Sequence, residues 1–170
     1  AAAIAQDAST VWFNPAGMLY LDNDQIVAAV HIIAPNSSFN NGNTMSGSVP
    51  TLGPQVVNGS NDDGGETAFV PHFYYVSTID DNLKFGLGVN APFGLGTKYD
   101  KNWVGRYHAV ETELKTININ PSIAFAPSEK LSIGAGINIM LAEVTLSSAI
   151  DFGALNPLLG SGNADGFADL

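Results

Sequence analysis

Three stretches between residues 83 and 144 share one pattern. Leu83, Phe85, Leu87 and Val89 alternate with Lys84, Gly86, Gly88 and Asn90. Ile117, Ile119, Pro121, Ile123 and Phe125 alternate with Asn118, Asn120, Ser122 and Ala124. Leu131, Ile133, Ala135, Ile137 and Ile139 alternate with Ser132, Gly134, Gly136 and Asn138. Successive side chains on a strand point to opposite faces, so each stretch has one apolar face and one small or polar face. The second face carries Gly, Asn and Ser more than the Lys and Glu that cover a water-facing sheet. Such a face suits the inside of a barrel whose apolar rows are turned to lipid.

The pattern predicts five strands, at about 24–35, 67–78, 83–95, 108–125 and 131–150. In the first, Ile26, Ala28, Val30 and Ile32 share a face. In the third, Pro92, Gly94 and Gly96 signal a bulge or bend, since proline cannot donate to a ladder. The fifth loses its alternation near Met140, where a bulge is expected. Tight turns at 80–82 and 127–130 alternate with long polar connections at 36–65, 97–107 and from 151 onward. Alternate connections of a meander emerge at the same end, so one end is trimmed and the other ornate, as in outer-membrane barrels. Residues 1–22 break the pattern. Residues 1–5 read as helical, Asp7, Ser9 and Thr10 as N-caps, and Asn14-Pro15-Ala16-Gly17 as a helix-breaking stop.

Composition narrows the class. Only 13% of the 170 residues are charged, about half the usual soluble share of roughly 25%. No apolar run approaches the ~18 residues of a membrane-spanning helix. Sixteen acidic residues against six basic ones give a net charge of −10, which argues against nucleic acid. There is no cysteine, hence no disulfide or thiolate chemistry. The start lacks the marks of a signal peptide and the end lacks a closing element, so the chain reads as a piece of something longer.

Four segments then carry a resemblance. Asp7-Ala-Ser-Thr-Val-Trp-Phe-Asn-Pro-Ala-Gly-Met18 resembles the N-terminal plug of the FadL-type long-chain fatty acid and hydrocarbon transporters of Gram-negative outer membranes. Gly86-Leu-Gly-Val-Asn-Ala-Pro-Phe-Gly-Leu95 resembles that family's third strand. Trp103-Val-Gly-Arg-Tyr107 and Glu113-Leu-Lys-Thr-Ile-Asn-Ile-Asn-Pro-Ser122 resemble the loop and strand that follow. The resemblance implies an all-β transmembrane antiparallel barrel of fourteen strands, of which about five are present. Residues 1–22 would be its hatch, with Trp12, Phe13, Asn14, Pro15 and Ala16 at its centre, and residues 23–170 a partial barrel. Hydrophobic small molecules, fatty acids or hydrocarbons, would be caught at outer loops and held in an internal pocket. They would leave sideways into outer-membrane lipid beside Asn90, Pro92, Phe93 and Gly94. No cofactor and no metal is implied.

Each candidate has a plainer alternative. Pro92, Phe93 and Gly94 could be an ordinary bulge, and Asn14-Pro15-Ala16 only a turn. Trp12 and Phe13 are expected to pack against the barrel wall. Arg106 could grip a carboxylate bidentately, although an ion pair with a loop acid such as Asp100 or Glu111 is the simpler expectation. His31, His72 and His108 lack metal-ligand spacing. The acidic stretch 62–66 lacks the spacing of a calcium loop. Residues 86–91 fit a dinucleotide fingerprint, but proline follows where a helix should begin. No nucleophile–base pair occurs, so the chain reads as a non-enzyme. Two rivals remain. A soluble lipid-binding barrel would bury the apolar rows, and a general porin would lack the N-terminal plug.

Overall fold

The structure, a computed structural model, describes residues 5–45, 53–153 and 165–170. A helical turn (α1, Thr10–Phe13) and a 3-10 helix (Pro15–Tyr20) precede the strands. These are β1 (Gln25–Ile33), β2 (Ser38–Phe39), β3 (Asp62–Asp63), β4 (Ala68–Asp80), β5 (Leu83–Asn90) and β6 (Gly94–Lys98). They continue with β7 (Glu111–Ser128), β8 (Leu131–Gly136), β9 (Ile139–Asp151) and β10 (Asp165–Asp169). One sheet runs β1-β4-β5-β7-β9-β10, with β6 and β8 also paired to β7, and β2 and β3 form a separate pair. The registered pairs are all antiparallel.

The five expected strands are present, with corrections. The third is not continuous over 83–95: it ends at Asn90 and resumes at Gly94, because Pro92 has no N–H to give the ladder. The fourth begins at Glu111, not 108, since His108 and Ala109 donate backward to the Gly105 carbonyl in a turn. The fifth breaks at residues 137–138, just ahead of Met140. There the Ile137 amide donates to the Pro121 carbonyl, and Asn138 accepts from Asn118. The tail, expected to be loop, supplies β10, which pairs with β9 from Asp165↔Asp151 to Asp169↔Ser147. Its side-chain pattern is too short to announce a strand; an open edge of backbone groups recruits it. Residues 1–4 of the expected first helix lie outside the described residues.

The chain forms two compact units. One holds the residues up to Ile33 together with Ala68–Phe93 and Thr116–Ala142; the other holds Ala34–Thr67, Gly94–Lys115 and the residues from Glu143 onward. The three long connections thus fall in a single unit, as the alternation of loops and turns requires.

The first unit has a covered face and a bare face. On β7, Asn118 is fully buried and Asn120 is 4% exposed, whereas Ile117 is 53% exposed. On β5, Lys84, Gly86, Gly88 and Asn90 are buried, and Leu83, Phe85, Leu87 and Val89 less so. Ile26, Val30 and Ile32 of β1, Phe69 and Phe73 of β4 and Ile133 of β8 are exposed as well. A soluble sheet places these faces the other way round. A lipocalin-like interior is therefore excluded, and a bare apolar face of this extent fits contact with hydrocarbon.

Ile123→Lys, on the bare face of β7, is expected to lower the unfolding free energy in lipid vesicles by up to about 2–4 kcal/mol. Equilibrium unfolding in urea checks it; an unchanged midpoint would place Ile123 away from lipid.

Candidate functional site

What covers the face is the N-terminal segment. The Ser9 amide donates to Asp7 Oδ1 at 2.8 Å and turns the chain into α1, and Thr10 Oγ1 donates to the Asn14 carbonyl at 2.9 Å. Asn14 is extended (φ −159°) and ends that turn. The helix stop expected at 14–17 falls at Asn14, where α1 ends, and Pro15 then opens a separate 3-10 helix. At the first helical position its fixed φ is favourable and its missing N–H costs nothing.

Ala8, Val11, Met18 and Leu21 are buried in one cluster with Tyr74, Val76 and Ala124 of the sheet, and Trp12, Leu19 and Val27 pack against it. Two glycines of the sheet make room for them. A Cβ on Gly86 would strike Met18 Sδ and Val11, and one on Gly134 would strike the backbone of Pro15 and Ala16. The buried Lys84 adds a polar anchor: its ammonium donates to the Leu21 carbonyl. Of the two aromatics expected against the sheet, Trp12 packs there, but Phe13 is half exposed. The last residue of so short a helical turn can project away from the buried stripe.

The second feature is the break after β5. Asn90 pairs with Asn118, and Gly94 pairs with Lys115. Residues 91–93 therefore stand opposite Thr116 and Ile117 alone, three against two. Among the described residues, no backbone–backbone hydrogen bond joins 91–93 to β7. The buried Thr116 takes over that task. Its hydroxyl accepts from the Phe93 amide at 3.0 Å and donates to the Phe93 carbonyl at 2.5 Å. Phe93 itself is 57% exposed. Gly94 is roomy, with only the Leu114 carbonyl oxygen within reach of an added Cβ, at 3.9 Å.

His31 and His72 are strand residues, as expected, whereas His108 lies in the turn ahead of β7, and the two strand histidines meet. His31 of β1 and His72 of β4 lie 4.4 Å apart, ring edge to ring face.

Arg106, in the second unit, takes the plainer of its two alternatives, an ion pair within the protein. It is buried, and its donors are engaged inside the protein. Nε meets Asp165 Oδ2 at 2.8 Å, Nη1 meets the carbonyls of Asn58 (2.6 Å) and Trp103 (3.2 Å), and Nη2 meets the Tyr107 hydroxyl at 2.9 Å. The ion pair is with Asp165, not with Asp100 or Glu111. The guanidinium ties loops together instead of presenting itself to a ligand carboxylate. Tyr107 completes the knot by donating to Asp165 Oδ1 at 2.5 Å. Burial, and then this donated bond, pushes the Tyr107 phenol well above its ordinary range. Beside the knot, Tyr99 stacks on Trp103 (3.9 Å between centroids, 12° between planes), with Phe39 edge-on at 5.8 Å. The acidic stretch also works locally. Asp63 accepts from Asn36 and from the Ser37 and Gly65 amides, and those two amides hold its carboxyl below the usual range.

No local pattern announces Thr116, Lys84 or Asp165. Each acts on a partner 23 or more residues away, beyond any local pattern.

Comparison with known proteins agrees with this geometry. The family described as outer membrane protein transport protein (OMPP1/FadL/TodX) matches residues 1–167. Outer membrane protein P1 of Haemophilus influenzae is 31% identical over 147 residues, covering 84% of this chain and 32% of that protein. The long-chain fatty acid transport protein of Escherichia coli K12 is 29% identical over 154 residues, covering 90% of this chain and 32% of that protein. The chain thus spans about a third of the length of these relatives. The crystal structure of a Pseudomonas aeruginosa FadL homologue superposes with a TM-score of 0.68 at 28% identity, over 96% of this chain and 40% of that one.

Two outcomes are expected. Gly134→Val should weaken docking of the N-terminal segment by about 1–3 kcal/mol, since a side chain there overpacks against backbone. Chymotrypsin should then cut at Phe13 or Tyr20 faster than in the native protein, and an unchanged rate counts against the contact. Tyr107 has a raised folded pKa, so its contribution to stability is fully present below the ordinary tyrosine value of about 10 and is lost as pH rises through the folded value. Thermal stability should fall across that alkaline window, and fall less in Tyr107→Phe.

Proposed function

Because the chain belongs to the OMPP1/FadL/TodX family of outer membrane transport proteins, we propose that the whole protein is a passive channel for hydrophobic compounds, long-chain fatty acids foremost. The fold is that of a FadL-type outer-membrane β-barrel in fragment, so the bare apolar face is the lipid face and the covered face the interior. The soluble alternative falls away with that orientation.

In this reading, ligand is caught at the outer loops, where the exposed Phe39 offers apolar surface. It passes to a pocket on the interior face, past a hatch formed by residues 1–22, with Trp12, Phe13, Asn14, Pro15 and Ala16 at its centre. It leaves sideways between β5 and β6, beside Asn90, Pro92, Phe93 and Gly94. A lateral exit is downhill, since each methylene moved from water to hydrocarbon gains about 0.8 kcal/mol. No cofactor, energy source or catalytic group is required.

The observation that carries the reading is the patched break. A missing ladder bond in a lipid-facing sheet costs several kcal/mol per unpaired group. Thr116 offsets that cost at Phe93, so an opening can persist without unravelling the sheet. A general porin is disfavoured by the segment packed on the interior face.

Pro92→Val combined with Gly94→Val should restore strand continuity and abolish uptake of a labelled long-chain fatty acid. The barrel should keep the heat-modifiable gel mobility of a folded outer-membrane protein. Uptake at the native rate by the folded double variant would defeat the side exit.

A further inference from the structure

One row of the interior face remains unexplained by hatch or break. Asn90 pairs directly with Asn118 across β5 and β7. The pairing Phe73↔Val89 sets His72 beside Asn90 across β4 and β5. All three are even-numbered positions on the interior side of their strands. Asn118 is fully buried, and Asn90 is 5% exposed. Their amide nitrogens are engaged: Asn90 Nδ2 donates to the Tyr74 hydroxyl at 3.3 Å, and Asn118 Nδ2 donates to Asn138 Oδ1 at 3.1 Å. Both carbonyl oxygens are left buried without a hydrogen-bond partner, as is His72 Nε2. Three adjacent buried polar atoms without partners are unusual in a native structure, and each needs an explanation. His31 lies edge-on to the His72 ring.

We propose that His72, Asn90 and Asn118 form an acceptor site for the hydroxyl-type head of an apolar-tailed ligand, an alcohol or an undissociated carboxyl group. The inference rests on the carriage reading above and adds the chemistry of the head. Two amide oxygens and a ring nitrogen attract an O–H donor. They repel a carboxylate, whose charge would face oxygen lone pairs with no Lys or Arg beside them among the described residues. Lys84 shares the interior face, but it lies six residues down β5 and its ammonium is engaged by the Leu21 carbonyl. Because Asn90 is the last residue before the break, a head held there sits where the strand opens.

The test is equilibrium binding to the whole protein at a fixed detergent concentration. The probes are dodecane, 1-dodecanol, dodecyl methyl ether and, at neutral pH, dodecanoate. Loss of one hydrogen bond corresponds to roughly tenfold in affinity, so 1-dodecanol should bind about ten times more tightly than its methyl ether. Dodecanoate should bind more weakly than the alcohol. Asn90→Leu with Asn118→Leu should erase the alcohol–ether difference. Equal binding of alcohol and ether by the native protein overturns the proposal, as does a preference for dodecanoate or a difference that survives the double variant. If that variant fails to fold, the probe series on the native protein still decides. If no probe binds, dodecane included, the carriage reading fails; if dodecane binds as well as 1-dodecanol, only the head inference fails.

Discussion

Backbone N–H and C=O groups in hydrocarbon have no water to turn to, and this governs the whole sheet. Antiparallel pairing from β1 through β10 answers it along most of the wall. Where the answer fails, between Asn90 and Gly94, one threonine hydroxyl serves both the amide and the carbonyl of Phe93. A gap in such a sheet is therefore not looseness. It is a local exchange of ladder bonds for a side-chain bond, built from a residue that can donate and accept at once.

The same constraint explains why small residues dominate the interior. With lipid on the outside, the face that packs against protein is the Gly/Asn/Ser face, and it must admit a segment of 5–21 at close range. Gly86 and Gly134 let Val11, Met18 and the backbone of residues 15–16 approach. The bulky side chains at that contact come from the N-terminal segment and from Tyr74 and Val76, not from β5 or β8. The one long polar side chain there, Lys84, ends on a backbone carbonyl, where its charge meets a partial negative charge away from solvent.

Much of this was legible in the chain. Period-two alternation located the strands, and the Gly, Asn and Ser of the second face told which side would be enclosed. Pro92 marked the break. The pattern could not show how the break is sealed, because Thr116 reads as one more strand residue until it meets Phe93. Nor could it show that Arg106 would choose Asp165, 59 residues away, over the nearer Asp100 or Glu111. β10 was hidden for a different reason: five residues with a single aromatic carry too little alternation, and its pairing comes from the edge of β9. Local period fixes which face a residue takes; long-range pairing decides which partner it finds.

The count of three against two has a further meaning. Before the interruption, even-numbered residues of the strand sit across from even-numbered ones: Gly88 from Asn120, Asn90 from Asn118. After it, Gly94 and Gly96 sit across from Lys115 and Glu113, even from odd. The single surplus residue reverses parity, so the pleat beyond Gly94 is out of phase with the pleat before Asn90. Removing one residue from 91–93 would bring both segments back into step and merge them into one uninterrupted ribbon. The break thus has two causes that act together, a surplus residue and the donor that Pro92 lacks.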